Sequence, residues 1–551
     1  MSSGLHSGRR ALVATAGVAA TALVLAACGG GTSGTSSSSG SSGSGGGGTL
    51  TVGTTDKIIN IDPAGEYDNG SQAVITQVYP FLVNNNYGNP DVKPDIAESA
   101  SFTSPNEYTV KLKPGLKFAN GHDLTSSDVK FSFDRQVKIA DANGPSSLLY
   151  NLVSTEVKDP TTVVFHLKQA DDQLFPQILS SDAGPIVDEQ VFSPTALTPE
   201  ADIVKANPFA GQYSLVKYDK NNLLQYKAFP GYKGILGPAK NASVNVKYYT
   251  DPSNMKLDVQ GGNIDVAFRS FAPTDIADLR KNKNVKVVDG PGGEIRYITF
   301  NFNTQPYGAK TPQADPKKAL AVRQAVADLI DRKAIASQVY KGTVTPLYSY
   351  VADGLTGATQ SLKSLYGDGQ GGPSADKAKT ALTGAGVPTP VTLSLQYNTD
   401  HYGPSSSDEY ALLKDQLEKS GLFKVNLQST EYVQYSKDRV KDVYPAYQLG
   451  WYPDYSDADN YLTPFFLTKN FLANHYLNQT VNDLILKQAS TPDKAARTKL
   501  IEQIQDLEAK DLSTVPYWQG SQVAVVGKTV QGAKDTLDPS FKFRYGALSK
   551  G

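Results

Sequence analysis

The chain of 551 residues is too long for a single hydrophobic core, so two or more lobes are expected. Its 53 basic and 54 acidic residues give a formal net charge of −1 and form no basic stripe, so no nucleic-acid partner is expected. The chain has 30 tyrosines but only 2 tryptophans, and tyrosine, with an apolar ring and a polar tip, suits polar clefts.

The N-terminal segment has the layout of a bacterial export signal. Arg9 and Arg10 precede an apolar stretch that is short for a stable membrane span. The stretch ends in LAAC at 25–28, which resembles a lipobox, and Cys28 is the only cysteine of the chain. We therefore expect residues 1–27 to be a lipoprotein signal peptide, exported by the Sec or the twin-arginine route. Cys28 would carry the lipid that anchors the protein on the extracytoplasmic face of the cell membrane.

A glycine- and serine-rich segment follows the cysteine. Residues 29–48 read GGGTSGTSSSSGSSGSGGGG and offer no side chain that could build a core. A Gly/Ser chain of this length has a root-mean-square reach of about 25 Å. Residues 28–48 are therefore interpreted as the lipidated cysteine and a flexible tether, which hold a folded body just outside a membrane.

The body shows alternating strand and helix patterns, which predict an α/β class without internal repeats or a membrane span. The elements with clear patterns, in chain order, are a strand over 49–56, a helix over 71–79, a hairpin over 108–118 with its turn at Pro114-Gly115, a helix that begins at 125–127, a strand over 161–168, two strands within 211–229 joined at 219–222, and a strand over 521–528.

The longest predicted helix begins at Pro316, because proline suits the first helical position and Asp315 can cap it. Gly342 marks the end of this helix or of a following segment. The helix carries one apolar stripe, formed by Leu320, Val322, Val326, Leu329 and Ile330.

Motifs for metal binding or catalysis are weak. No two histidines of the body are spaced at i, i+4, and HExxH is absent, so no metal or other cofactor is predicted. The body has no cysteine nucleophile and no GxSxG elbow. An exported hydrolase therefore stays an alternative without a catalytic constellation. The histidines concerned are His122, His166, His401 and His475.

One glycine motif has the spacing of a dinucleotide-binding loop, GxGxxG, formed by Gly367, Gly369 and Gly372. No β-rich run precedes it, and Pro373 follows it. A flexible loop before a helix capped by Ser374 is the favoured interpretation.

The segment 450–462, GWYPDYSDADNYL, concentrates carboxylates and aromatic rings. It lacks the turn glycine and distal glutamate of a calcium loop, whereas spacing alone leaves a glycosidase carboxylate pair open. A solvated acidic loop fits Asp457 and Asp459. It fits Asp454 less well, and a carboxylate beside aromatic walls favours an ammonium-binding site. The aromatic neighbours of this carboxylate in the sequence are Trp451, Tyr452 and Tyr455.

Several segments resemble the extracytoplasmic solute-binding proteins of family 5, the peptide and nickel receptors of ABC importers. PDIAESASFTSPNEYTVKLKPGLKFANGHDLTSSDVKFSFDR at 94–135 is similar to the family's signature stretch. Further segments follow in the order that the family shows, namely GQYSLVKYDK, GNIDVAF, YITFNFN, AVRQAVADLIDRKAI and GWYPDYSDADNYL. The resemblance covers about 49–528. The chain departs from the family pattern at PFAGQY and in its scarcity of tryptophan.

The resemblance implies an α/β, two-lobed periplasmic-binding-protein-like (Venus-flytrap) fold with an extra satellite domain. Ligand would bind between the lobes and be enclosed by hinge closure. The implied boundaries are 49–75, 200–295 and 516–551 for lobe I, 76–199 for the satellite domain and 296–515 for lobe II.

The resemblance also implies site residues. Asp454 would take the α-ammonium of a peptide, with Trp451 as a wall and Gly450 as a backbone partner. Arg269 would serve as a carboxylate partner, or it is a surface arginine. The other residues that would line the cleft are Tyr67, Asn69, Phe268 and Ser270.

The implied function is that of a non-enzymatic, monomeric receptor that delivers oligopeptides to the permease and ATPase subunits of an ABC importer. Peptide receptors bind the ligand backbone and leave side chains in hydrated pockets. A nickel or nickel-chelate receptor is the alternative within the family, although scattered histidines are poor ligands for bare nickel. Oligosaccharide binding and a signalling receptor that feeds no transporter are further alternatives.

Overall fold

The computed structural model describes residues 48–269, 271–398, 401–403, 405–539 and 542–551. The predicted signal peptide, Cys28 and Ser270 lie outside the described residues. The described part is α/β, as predicted. Its strands are β1 Thr49–Thr54, β2 Val83–Asn85, β3 Val92–Pro94, β4 Ala97–Ser104, β5 Glu107–Leu112, β6 Leu152–Asp159, β7 Thr162–Leu167, β8 Tyr213–Asp219, β9 Leu223–Ala228, β10 Ser243–Tyr248, β11 Val266–Phe268, β12 Val285–Phe300, β13 Val344–Pro346, β14 Val391–Tyr397, β15 Phe423–Ser429, β16 Ala446–Trp451, β17 Thr514–Gly527, β18 Val530–Gln531 and β19 Ser549–Lys550.

Helices alternate with these strands along the chain. A π-helical turn, Ile335–Val339, follows one short helix, and 3₁₀ turns include Pro63–Gly65 and Ala458–Tyr461. The α-helices are α1 Asn69–Val78, α2 Ser126–Ile139, α3 Phe175–Ile178, α4 Glu200–Ala206, α5 Pro252–Gly261, α6 Pro273–Leu279, α7 Pro316–Leu329, α8 Arg332–Ala334, α9 Ser361–Leu365, α10 Ala375–Gly384, α11 Ser405–Lys419, α12 Tyr432–Arg439, α13 Thr463–Phe466, α14 Gln479–Ala489 and α15 Lys494–Asp511.

Polar caps start the predicted helices where the sequence indicates. Thr125 and Asp128 form a capping box at the start of α2, which satisfies backbone N–H groups that have no partner within the helix. Asp315 caps α7, whose first residue is Pro316, and Ser374 caps α10 after the glycine loop. The apolar stripe of α7 is buried except for Leu320, which is half-buried.

The predicted hairpin over 108–118 is wrong. The strand over 107–112 pairs instead with the strand before it, β4, and with β7. The segment after Pro114-Gly115 leaves the sheet and makes one isolated bridge between Lys117 and Asp123. The alternating pattern continues past the turn because Leu116 and Phe118 are buried beneath the small sheet, not because they form a strand.

Two long antiparallel strands, β12 and β17, join two groups of strands in the largest sheet. The sheet order is β15-β14-β16-β12-β17-β11-β1-β10-β9-β8, with β13 also paired to β17. The register between β12 and β17 shifts between Pro291 and Ile295. Beyond that shift β12 pairs with β16, and the opposite end of β17 pairs with β11. The irregular segment around Glu294 therefore separates the two strand groups.

Separate apolar cores lie on the two sides of this irregularity. One core contains Leu449 of β16, and another contains Val246 of β10. A third core, which contains Phe165, is formed by residues of the four-stranded sheet β4-β5-β7-β6 and the elements packed against it. Concave space between bodies with separate cores is a common place for a ligand.

Candidate functional site

Asp454 follows β16 and lies against the segment that precedes α1. The Tyr67 hydroxyl donates to Asp454 Oδ1, and the Asn460 amide donates to Asp454 Oδ2 at 3.1 Å. Asn460 Oδ1 in turn accepts from the Asp454 backbone N–H and from the Trp451 indole, each at 2.9 Å. The structure thus brings together Asp454, Tyr67 and Trp451 of the predicted site.

The Asp454 carboxylate is desolvated without a cation to balance it. Burial raises its pKa, whereas the hydrogen bonds from Tyr67 and Asn460 lower it. Among the described residues, no salt bridge includes Asp454. Burial and the Asp454 charge both raise the pKa of Tyr67, so its hydroxyl stays protonated and donates. A half-buried carboxylate without a counter-ion is suited to an ammonium group brought by a ligand.

More carboxyl groups surround Tyr67. Glu66 is fully buried, and neither of its carboxyl oxygens has a hydrogen-bond partner among the described residues. Burial, followed by Asp182 and Asp68, raises its pKa. Burial also raises the pKa of Asp182 to about 7, although its hydrogen bond from Gln72 opposes the shift. A positively charged ligand group would favour the ionised forms of these carboxyl groups and be attracted by them, whereas an anion would be repelled.

Asp182→Asn should make the free energy of unfolding less sensitive to pH. A carboxyl with a folded pKa of about 7 and an unfolded pKa of about 3.9 holds more protons in the folded state between those values, so ionisation destabilises the fold as pH rises. Removing the group should cut that decline by up to about 1.4 kcal/mol per pH unit within this window. Urea titrations at pH 4, 5, 6 and 7 measure it, and equal slopes in the two proteins would contradict it.

The interpretation of Asp457 and Asp459 as a solvated loop is wrong. Asp457 is buried and forms a bidentate ion pair with Arg497 at 2.7 and 2.8 Å. Asp459 is buried and accepts from the hydroxyl of Thr463 and from the amide of Gln488. Both carboxylates have partners inside the protein because this segment forms a buried 3₁₀ turn, which Asp457 caps.

All three aromatic neighbours of Asp454 in the sequence have other partners. The ring of Tyr452 lies 5.8 Å from the guanidinium carbon of Arg296, and Tyr455 packs against the core of the small sheet. Trp451 packs against Phe465 and Phe471. The carboxylate is therefore positioned chiefly by Tyr67 and Asn460. Asn460 lies in the same segment as Asp454 but was not predicted as a site residue.

A small cavity of about 30 Å³ brings together three further predicted residues, Asn69, Phe268 and Arg269. Asn69 is the first residue of α1, two positions after Tyr67, and Phe268 stacks on Phe543 with ring centroids 4.0 Å apart. Arg269 Nε lies 3.7 Å from a carboxylate oxygen of Asp56. The backbone φ angle of Arg269 is 60°, in the left-handed region. This conformation costs energy for any residue other than glycine, and residues that adopt it are found preferentially at functional sites.

A larger cavity of about 270 Å³ adjoins the first, because Arg269 lines both. Its other wall comes from beyond the irregular segment of β12 and includes Arg296, Tyr452 and Trp518. The predicted backbone partner, Gly450, pairs in register with Arg296. Arg296 was not predicted from the sequence, because it is one of four charged residues of β12 and the strand pattern does not single it out.

The family model for bacterial extracellular solute-binding proteins, family 5 (middle), matches residues 91–472. The chain belongs to this family. The family 5 protein is therefore a solute-binding protein of a family that serves ABC importers, and the family and its structural neighbours are transport proteins rather than enzymes. No helix among the described residues is long and apolar enough to cross a membrane.

Relatives of the family 5 protein cover nearly all of the body. The glutathione-binding protein GsiB of Escherichia coli (strain K12) is 27% identical over 510 residues, which span 90% of this chain and 93% of GsiB.

Solved structures share the fold. The ABC transporter substrate binding protein CtaP of Listeria monocytogenes matches 92% of this chain and 99% of its own, with a TM-score of 0.75 and 23% identity. The binding protein DppA from Helicobacter pylori, in complex with the peptide STSA, matches 92% of this chain and 98% of its own, with a TM-score of 0.67 and 20% identity. These neighbours are two-lobed binding proteins, which confirms the predicted fold class.

Proposed function

We propose that the family 5 protein captures oligopeptides in the cleft between its lobes and delivers them to the permease and ATPase subunits of an ABC importer. The observation that carries the proposal is the desolvated carboxylate of Asp454, which has no cationic partner among the described residues. A peptide supplies the missing cation as its N-terminal ammonium. Peptide-binding relatives and neighbours, including the DppA complex, support this ligand class.

The proposed cleft lies between lobe I, comprising 49–75, 200–295 and 516–551, and lobe II, comprising 296–515. Residues 76–199 form the satellite domain. The irregular segment of β12 supports a passage of the chain from lobe I to lobe II near this division, because different strands pair with β12 and β17 on the two sides of the segment. Closure of the two lobes around a peptide would remove the charged contact at Asp454 from water, which strengthens it.

We also propose that the protein is monomeric and acts from the extracytoplasmic face of the membrane, anchored through Cys28. The LAAC sequence after an apolar stretch supports the lipid anchor, and the glycine- and serine-rich tether supports a body that is free to meet the permease. The proposed activity is binding without catalysis, since recognition of a peptide at Asp454 needs no nucleophile.

A peptide panel tests the proposed function. The panel contains oligopeptides of two to five residues, including Ser-Thr-Ser-Ala, together with glutathione, a nickel–histidine complex and maltooligosaccharides. At least one peptide should bind, and at 100 times its Kd it should stabilise the folded protein by about 2.7 kcal/mol, seen as a higher melting temperature. The peptide of the panel with the lowest Kd is called the reference peptide below.

The same panel can contradict the proposal. Stabilisation by the nickel complex or a sugar with no response to any peptide would reject an oligopeptide ligand. Chromatography of the reference peptide after prolonged incubation should recover it intact, and sustained hydrolysis by a clean preparation would reject a receptor without catalysis.

A further inference from the structure

In the irregular segment of β12, side chains bind two backbone carbonyls that have no partner strand. The register between β12 and β17 shifts at this segment, so Gly292 and Gly293 have no partner in the ladder with β17. Both glycines are buried. The carbonyl of Gly292 accepts from the Gln519 amide at 2.6 Å, and that of Gly293 accepts from the Tyr461 hydroxyl at 2.6 Å. Since buried carbonyls need such partners, these two side chains stabilise the interruption of the ladder.

Tyr461 belongs to the segment that carries Asp454. It is fully buried and is the last residue of the 3₁₀ turn Ala458–Tyr461. The residue before it, Asn460, accepts from the backbone N–H of Asp454 and donates to the carboxylate of Asp454. Because Asn460 and Tyr461 are neighbours in one short turn, a shift of Tyr461 would displace Asn460 and, with it, the carboxylate.

The strand β12 also packs directly against the residue that precedes Asp454. A Cβ atom at Gly293 would lie 2.6 Å from Pro453 Cγ and 2.8 Å from the hydroxyl oxygen of Tyr461. Any residue larger than glycine would therefore push this segment away from β12. Pro453 and Tyr461 thus fix the segment against β12 on both sides of Asp454.

The contact between Tyr461 and Gly293 crosses the proposed division between the lobes. Gly293 lies in the part of β12 assigned to lobe I, whereas Tyr461 lies in lobe II. The hydroxyl of Tyr67, also in lobe I, donates to the same segment at Asp454. When the lobes rotate about the connecting strands, the bond at Gly293 therefore determines where the Asp454 segment stands relative to lobe I.

We propose that Tyr461 is a positioning residue for amine recognition: its bond to Gly293 places the Asp454 carboxylate where it meets the N-terminal ammonium of a peptide as the lobes close. This inference rests on the proposed function. Tyr461 itself does not contact the ligand and acts through Asn460 and Asp454. A single hydrogen bond of this kind corresponds to roughly a threefold to tenfold change in an equilibrium constant.

Tyr461→Phe tests the inference, because it removes the hydroxyl and keeps the ring in the core. Calorimetry gives the Kd of the reference peptide and of its N-acetylated form, and the ratio of acetylated to free Kd measures the amine contact. This ratio should be roughly 30 or more in wild-type protein and about threefold to tenfold lower in Tyr461→Phe. The Kd of the acetylated peptide should stay within about twofold, because that peptide has no ammonium to place.

Tyr366→Phe is the matched control. The Tyr366 hydroxyl also donates to a backbone carbonyl, that of Ala509, at 2.6 Å, and both tyrosines belong to the same apolar core. The control should lower the melting temperature about as much as Tyr461→Phe does, without changing the ratio of the two Kd values. The melting temperature therefore reports a structural role, and the ratio reports positioning.

Gly293→Ala disturbs the same contact from the side of β12. The added methyl group would displace Pro453 and the Tyr461 hydroxyl, so the ratio should fall at least as far as in Tyr461→Phe. In the double variant the ratio should fall little further than in Gly293→Ala alone, because both substitutions disrupt one contact.

Two outcomes would overturn the inference. A ratio in Tyr461→Phe within twofold of the wild-type ratio would show that the hydroxyl does not position the carboxylate, while peptide binding itself would still stand. An equal fall of the ratio in Tyr366→Phe would assign the effect to a general loss of stability. If Tyr461→Phe does not fold, Gly293→Ala provides the same comparison. Absence of binding by every peptide, or a wild-type ratio near one, would instead contradict the proposed function.

Discussion

Replacing Asp454 with asparagine should weaken binding of the reference peptide by roughly 30-fold or more. Removing one partner of a desolvated charge pair costs about 2–5 kcal/mol, largely because the other charge is left unpaired, and 1.4 kcal/mol corresponds to a tenfold change in Kd. Asparagine keeps the size of the side chain, and with its oxygen towards Asn460 it can accept from that amide while its NH₂ donates to the Tyr67 hydroxyl, so the fold should be retained. Calorimetric titration of both proteins measures the change in Kd.

Asp457→Asn is the matched control for this substitution. Asp457 lies three residues further along the same segment, but both its carboxylate oxygens are bound by Arg497. The control should lower the free energy of unfolding and leave the Kd of the reference peptide within about twofold. A smaller loss of affinity in Asp454→Asn than in Asp457→Asn would contradict a direct role for Asp454.

Replacing Arg135 with methionine should lower the free energy of unfolding by about 3–5 kcal/mol, because it strands a buried carboxylate. Arg135 and Asp62 are 2% and 0% exposed and form a bidentate pair at 2.5 and 2.8 Å. The pair joins α2 to the segment that leads into Tyr67. Asp62 also caps the 3₁₀ turn Pro63–Gly65 and accepts from the Thr198 backbone. Urea titration monitored by circular dichroism measures the loss.

An exposed ion pair on the same helix provides the comparison for Arg135. Lys130 and Asp134 lie 2.5 Å apart at i, i+4, with both side chains nearly half exposed. Pairs of this kind contribute about 0–1 kcal/mol, so Lys130→Met should cost less than 1 kcal/mol. Similar losses in the two variants would show that burial does not govern the contribution of the Asp62 pair.

Local patterns predicted helix ends well because the deciding interactions are local. Thr125, Asp315 and Ser374 cap their helices through backbone N–H groups two to three residues away, so the sequence contains both partners. The hairpin at 108–118 was wrong because the partner of the strand over 107–112 is chosen by tertiary packing. An alternating pattern records which side chains are buried, and it does not record which strand lies next to it.

The candidate site was partly predictable for the same reason. Asp454 stood out from its sequence neighbours and from the family resemblance, and Tyr67 was predicted to line the cleft, but their direct contact spans 387 positions of sequence. Asp457 was misjudged because its partner, Arg497, lies 40 positions away. Arg296 was missed because the rings that surround its guanidinium come from three separate segments of the chain.

The coupling between Asp454 and the peptide amine tests the central claim most directly. Calorimetry gives the Kd of wild-type protein and of Asp454→Asn for the reference peptide and for its N-acetylated form. If the carboxylate binds the ammonium, each single change should weaken binding by roughly 30-fold or more, and the second change should add little, because both delete one contact. Losses that multiply independently would show that Asp454 does not contact the amine, and they would contradict the assignment of this cleft to peptides held by their amino terminus.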